Sequence, residues 1–407
     1  MHTDVVVIGA GQAGLAASRC LTDGAVDHVV LERADVADSW RTQRWDSLRL
    51  LTPNWMTRLP GFAYDGGDPD GYMSAAEVAG LLDRYRNSFA APVRTGTAVT
   101  GVTPGPGGEG FRVATDAGVW HSRAVVVATG AAREPHVPAV GRELPASVRQ
   151  LTCAEYRRPD QVEGDVLVVG ASASGVQIAD ELARSGRRVT IAVGDHVRVP
   201  REYRGRDIHW WMDAIGQLDE RWDEVPDIDR ARRLPSLQLV GGPERRTLDL
   251  NALTAVGVRL VGRLAGVAGG RALFSGSLPA LVVGADLKQD RLLDRIDEYI
   301  GTGRGERPAR TRVGDPTTEL PLAGIRTVVW ATGYRPTWPW LPDGLVDRFG
   351  RLRHDGGVTP LPGLVALGLP FLRRRKSSFL DGVGPDAAEL MAEVRRHLDR
   401  VAAGTAA

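Results

Sequence analysis

An α/β fold of two Rossmann-like units, the second inserted in the first, is what three features of the sequence predict. A short apolar strand runs into a glycine-rich turn and a helix at residues 5–18, VVVIGAGQAGLAAS. The same pattern restarts at 167–179, LVVGASASGVQIA, and two later strands, AVVVATG at 124–130 and TVVWATG at 327–333, repeat one another. Short apolar runs ending in glycine suit strands buried on both faces, as a parallel sheet requires.

The elements follow in order. DVVVI at 4–8 is a strand, the turn leads into a helix, and HVVLE at 28–32 completes a parallel βαβ unit. Residues 40–72, rich in Trp, Pro and Gly and without periodicity, make a long loop of the kind that covers ligands. A helix over 74–89 precedes antiparallel strands near 95–103, 111–115 and 118–121 and the buried strand 124–130. REPHVPAVGRELP reads as a linker, after which strand (166–170), helix (174–186) and strand (188–193) repeat the opening unit. Residues 200–300 carry little periodicity beyond a helix near 290–301. The strand 327–333, GLVALG at 363–368 and an amphipathic helix on PDAAELMAEVRRHLDRVAA close the chain. The simplest division is 1–160 for the first unit, 161–325 for the inserted one, and 326–407 returning to the first.

Bulk composition narrows the class. With 51 basic against 50 acidic residues, the chain has no long-range field to gather nucleic acid or anionic membrane, so small molecules are the expected partners. Two cysteines, Cys20 and Cys153, are too few for a disulfide framework. A strand beginning almost at Met1 leaves no room for a signal peptide, and no apolar run is long enough to span a bilayer, which together predict a cytoplasmic protein. No His/Cys grouping has metal-ligand spacing, so no metal site is expected.

Gly9-Ala10-Gly11-Gln12-Ala13-Gly14 is G-x-G-x-x-G between strand and helix, with Glu32 and Arg33 at the end of the next strand. The first glycine allows the tight turn, the second lets a pyrophosphate approach the backbone, and the third lets helix and strand pack. The helix N-terminus offers free N–H groups to phosphates, and Glu32 suits the hydroxyls of an unphosphorylated ribose. FAD or NAD is therefore expected here. In the second fingerprint, Gly170-Ala171-Ser172-Ala173-Ser174-Gly175, Ser172 replaces the middle glycine, and Val193 stands where Glu32 stands in the first. Just beyond lies GDHVRVPREYRGRD. His196, Arg198, Arg201, Arg204 and Arg206 can contact a 2′-phosphate, Arg198 being the chosen ligand, whereas Asp195 can hold a free 2′-hydroxyl. Five bases against one acid favour NADPH, with NADH left open.

Two dinucleotide sites suggest hydride transfer from a nicotinamide to a flavin in the earlier site. Cys20 and Cys153 lie 133 positions apart, too far in sequence for the close pair of a disulfide reductase. Oxygen is then the expected electron acceptor.

Together, the two fingerprints, WR at 40–41, SLRLLTPNW at 47–55, ATG at 128–130 and ATGYRP at 331–336 resemble the flavin-containing monooxygenases over nearly the whole chain. The resemblance is to a short bacterial branch of flavoprotein and cation-transport-type oxidoreductases, related to the plant auxin-forming monooxygenases. It implies FAD on the first fingerprint, NADPH as reductant, and oxygen transfer through a C4a-(hydro)peroxyflavin. Carried over by position, it assigns cofactor roles to Gly9, Gly11, Gly14, Glu32, Trp40, Arg41, Thr129, Gly130, Thr332 and Gly333. Gly384 and Asp386 fall where a helix N-terminus faces the flavin pyrimidine. Two motif positions depart: Thr152 stands for a histidine, and Leu51 for an asparagine near the flavin C4a, with Asn54 three residues on. These three are the candidates for the reacting edge of the flavin.

For substrate, the sequence offers Trp55 and Asn54, IHWWMD at 208–213, PTWPWLP at 336–342 and RRRKSSF at 373–379, suited to a small aromatic or amine-bearing metabolite. An oxidase or dehydrogenase without oxygen transfer and a non-catalytic FAD-binding sensor are the alternatives. Oligomeric state stays open, a homodimer being one option.

Overall fold

The computed structural model describes residues 1–131 and 134–405. Two sheets organise it, and each is built around one fingerprint.

In the first sheet, β1 (His2–Ile8) is followed by α1 (Gln12–Asp23) and β2 (His28–Leu31), then by α2 (Ala75–Ser88) and the outer strand β3 (Val93–Arg94). A meander of β4 (Val99–Pro104), β5 (Phe111–Thr115) and β6 (Gly118–Val127) completes the order β3-β2-β1-β6-β5-β4. Strand β6 changes partners along its length. Its first half pairs antiparallel with β5, and its second half runs parallel to β1 at Val5↔Ala124. The expected break at 121–124 is therefore absent, because the ladder to β1 continues through Ser122.

The second sheet is wholly parallel. It contains β7 (Arg149–Thr152), β8 (Asp165–Val169) with α3 (Ala173–Arg184), and β9 (Val189–Ala192). The chain then runs through α4 (Ile208–Ala214) and α5 (Leu250–Ala255) to β10 (Arg259–Val261), α6 (Leu278–Ile300) and β11 (Ile325–Trp330), giving the order β7-β11-β8-β9-β10. Finally β12 (Leu364–Ala366) returns to pair with β6, and α7 (Val383–Thr405) packs on α1.

The sheets divide the chain elsewhere than at 160 and 325. Strand β7, expected in the first unit, lies in the second sheet, and β11, expected in the C-terminal return, sits between β7 and β8. The reason is duplication. Ala128 N–H bonds the Ile8 carbonyl at 2.9 Å, and Ala331 N–H bonds the Val169 carbonyl at 2.8 Å, so each ATG strand serves the fingerprint strand of its own sheet. Helix α6 is far longer than the 290–301 stretch that periodicity marked, because Pro279 sits in its first turn and Gly301 ends it in a left-handed conformation.

Candidate functional site

The first fingerprint does what its glycines require. Gly9 has φ +106°, and a Cβ there would lie 2.8 Å from the Ala128 carbonyl oxygen. A Cβ on Gly14 would lie 1.7 Å from the Gly9 carbonyl oxygen, so this residue lets α1 close onto the turn. Gly11 differs: its φ is −80° and a Cβ would meet nothing within 4 Å. Only an approaching ligand gives the chain a reason for glycine at that position.

These residues open onto a cavity of about 440 Å³. Gly9, Gly11, Gln12 and Ala13 line one wall, and Glu32 and Arg33 another. Thr129 and Gly130 come in from the end of β6, while Trp40, Gln43, Arg44 and Trp340 close over it. Glu32 accepts the Ala10 N–H at 2.8 Å and the Ala34 N–H at 3.1 Å, which orients the carboxylate and leaves each oxygen a lone pair for a hydroxyl. Thr129 Oγ1 is buried without a hydrogen-bond partner, as a group awaiting a ligand would be.

One cation in this cavity escaped the sequence reading. Arg41, the expected one, points instead to Asp83 on α2 and to the Val36 carbonyl, and does not line the cavity. Arg44 does. Its guanidinium lies 5.2 Å from the Trp40 ring and donates to the Gln43 carbonyl at 3.0 Å. Burial pulls its pKa below the usual arginine value, partly offset by a hydrogen bond with Tyr334. Among the described residues no carboxylate pairs with it. A half-buried, uncompensated guanidinium in a cavity is matched to an anionic ligand.

The second fingerprint copies the first in geometry. Gly170 has φ +108° with its Cβ position 2.3 Å from the Ala331 carbonyl oxygen, and Gly175 would clash with the Gly170 carbonyl oxygen at 1.9 Å. Ser172 adopts φ −84° and ψ −172°, against −80° and −172° for Gly11. The serine therefore costs the fold nothing. Ser174 hydrogen-bonds Cys153, a buried thiol pushed up to about 12 by burial. Cys153 and the half-buried Cys20 are both free, so no thiol couple is present among the described residues.

Other expected site residues are engaged elsewhere. Arg198 is not open to a phosphate: Nε and Nη2 bond Asp249 at 2.9 and 2.8 Å, Nη1 bonds Asp286 at 2.6 Å, and Nη2 also reaches the Ala309 carbonyl. Thr332 donates to the His136 carbonyl, and the Gly333 carbonyl accepts the His136 N–H, so this ATG pins a neighbouring strap instead of lining the cavity. Asp386 is buried and bonds Arg374 at 2.7 Å, burial raising its pKa, while Gly384 packs near Pro60; neither lines the cavity. The stretch before their helix reaches it through Gly368, Pro370 and Ser378, and the Ser378 carbonyl accepts from Gln12 Nε2 at 2.7 Å.

The three candidates for the flavin edge also lie outside this cavity. Asn54 spends its amide on the Asp68 carbonyl (2.9 Å) and the Met73 N–H (3.0 Å), bracing the loop. Thr152 Oγ1 bonds Glu155, and Leu51 packs against the cluster around Trp211 while its carbonyl accepts from Arg201. Of the substrate segments, 336–342 brings Trp340 and 373–379 brings Ser378 to the cavity, and the rest are engaged elsewhere. Trp211 is core, its indole N–H donating to the Tyr203 carbonyl at 2.6 Å. Residues 373–376 are taken up by Glu389, Asp386, Glu220 and Asp381. No helix among the described residues is long and apolar enough to cross a membrane.

A family model described as pyridine nucleotide-disulphide oxidoreductase matches residues 6–212, spanning both fingerprints. The chain belongs to this family. Its relatives include an uncharacterised CzcO-like oxidoreductase of Geobacillus kaustophilus, 32% identical over 402 residues, which covers 97% of this chain and 99% of the relative. Indole-3-pyruvate monooxygenase YUCCA1 of Oryza sativa subsp. japonica is 30% identical over 374 residues, 88% of this chain and 82% of its own. The same fold occurs in a flavin-containing monooxygenase from Stenotrophomonas maltophilia, with TM-score 0.68, 24% identity and coverage of 98% and 99% of the two chains. This member is an enzyme of the flavin-dependent monooxygenase and oxidoreductase kind. It is a member without the thiol pair that disulfide chemistry needs.

Proposed function

We propose that the first cavity seats FAD, that the second fingerprint seats a nicotinamide dinucleotide, and that together they oxygenate a small organic substrate. The observation that carries this reading is the convergence of Gly11, Glu32, Thr129 and Arg44 on one cavity. An open glycine, a hydroxyl-accepting carboxylate, an orphaned hydroxyl and an uncompensated cation suit the diphosphate and ribose of a dinucleotide. When bound, the flavin supplies hydride acceptance and oxygen activation.

The protein's own groups then bind, orient and exclude water. N–H groups at the start of α1 and the Arg44 guanidinium hold the diphosphate, and Glu32 takes the ribose hydroxyls. Trp40 and Trp340 close the cavity. Overall, one NAD(P)H, one proton, one O2 and the substrate give NAD(P)+, water and the oxygenated product. The name of the rice relative suggests an aromatic 2-oxo acid as the first substrate to try. The deciding experiment reduces the FAD-loaded protein anaerobically with NAD(P)H, then supplies isotopically labelled O2 and candidate substrates. Labelled product supports the proposal. Stoichiometric hydrogen peroxide with every substrate would make the protein an oxidase, and failure of NAD(P)H to bleach the visible flavin band would leave only a binding role.

A further inference from the structure

The two units correspond hydrogen bond for hydrogen bond. Gly9 N–H bonds the Leu31 carbonyl at 2.8 Å, and Gly170 N–H bonds the Ala192 carbonyl at 2.9 Å. Glu32 N–H meets the Arg94 carbonyl at 2.9 Å, and Val193 N–H meets the Val261 carbonyl at the same distance. Val193 thus holds the backbone place of Glu32. The residues just past β9 and β10 hold the end of the site where Glu32 meets a ribose in the first unit. There the second unit presents Asp195 and Arg263, 3.2 Å apart and with side chains 66% and 58% exposed.

Of the basic run that follows Asp195, His196, Arg198 and Arg201 are buried and the exposed Arg204 and Arg206 are engaged by other side chains. Arg198 is closed by Asp249 and Asp286, Arg201 by Asp207 and the Leu51 carbonyl, and Arg204 by Asp297. His196 is buried, and burial lowers its pKa, which keeps it neutral. Arg206 lies over the Trp210 ring at 4.7 Å. Among the described residues, the charges near this end are the Asp195 carboxylate, the Arg263 guanidinium paired with it, and Lys288, which acts on the neighbouring His196.

Resting on the reading that this unit seats the reductant, we propose that Asp195 makes it an NADH site. The carboxylate accepts a hydrogen bond from a free 2′-hydroxyl and opposes a 2′-phosphate. Arg263 holds the carboxylate in place, and a single paired guanidinium does not offset a phosphate carrying nearly two negative charges.

The test is calorimetric titration of the FAD-loaded enzyme with NAD+ and with NADP+, alongside anaerobic flavin reduction by NADH and NADPH. NAD+ binds about tenfold more tightly than NADP+ at low salt if the proposal holds, given one hydrogen bond gained and one solvent-screened like-charge contact avoided. Asp195→Asn shrinks that ratio to near unity or inverts it, while Arg263→Ala weakens NADP+ further with little change for NAD+. Both residues are exposed, so unchanged circular dichroism and melting are expected of the variants. Tighter NADP+ binding by the wild type, or an Asp195→Asn ratio equal to the wild type's, overturns the assignment to Asp195 while leaving the two-site reading intact. Failure of both nucleotides to bind overturns both.

Discussion

Replacing Arg198 with methionine keeps the aliphatic stem and removes the charge. In the wild type the Arg198 side chain is 2% exposed, Asp249 7% and Asp286 6%, and all three are joined by charge-assisted bonds of 2.6–2.9 Å. The variant leaves two carboxylates buried with no cation. Removing one partner of such a pair costs about 3–5 kcal/mol. At roughly 2–4 °C per kcal/mol for a domain of about 150–250 residues, the unfolding midpoint of the second unit should fall by about 6–20 °C. Adding Asp249→Asn and Asp286→Asn to Arg198→Met should restore most of the stability, since asparagine can still cap α5 as Asp249 does through the Ala252 N–H. Scanning calorimetry measures all of this. An Arg198→Met protein that melts with the wild type yet loses NADPH affinity would refute the reasoning and return Arg198 to the nucleotide.

Three further outcomes follow from the geometry. Gly11→Leu should fold normally, because its extended backbone suits any residue and a Cβ there meets nothing within 4 Å, yet purify with little FAD because the side chain fills the ligand's place; Gly14→Ala should fail to fold, its Cβ 1.7 Å from a carbonyl oxygen, and flavin content with soluble yield separates the two. Arg44→Ala should lower FAD retention by about tenfold or more on loss of a charge-assisted contact, measured by equilibrium dialysis at two salt concentrations, whereas Arg41→Ala should not. His354 is pulled down to about 4 from its usual 6.5 by burial and then by the Arg232 guanidinium, and its Nδ1 accepts the Gly357 N–H. The unfolded chain therefore takes up a proton first, and stability should fall by about 3 kcal/mol as pH drops from 6.5 to 4, a loss that His354→Asn abolishes in urea melts.

Local features were the legible ones. Each fingerprint carries strand, turn and helix within a few residues, so Gly9, Gly14, Gly170 and Gly175 could be read without knowing the rest of the chain. Glu32 was readable because its distance from the turn is set by one helix and one short loop. Arg198 was not, since its partners lie 51, 88 and 111 positions away and nothing local signals a buried carboxylate pair. The choice of Arg41 over Arg44 failed for a similar reason: a short helix turns Arg41 outward to Asp83, an acid contributed by a later helix. Asn54 was singled out because the resemblance puts an asparagine near the flavin three residues earlier, but bracing a long loop against its own backbone also demands such a residue. The signal missed in β11 was in plain view. Its likeness to AVVVATG marks a duplicated position, and treating the repeat as duplication would have placed it beside VLVVG.

The order in which the chain is made has a bearing on how it matures. All five strands of the inserted sheet are synthesised once β11 has been translated, while β6 still lacks β12 and α1 still lacks α7. The unit that begins the chain is thus the last to be sealed. Until the final segment emerges, the flank of β6 at Val125–Val127 has no pairing partner and the side of α1 that α7 packs on, near Cys20 and Gly24, has no cover. A nascent chain stalled or truncated short of β12 would display that apolar surface beside an already finished neighbour, the kind of half-built product that chaperones and proteases recognise.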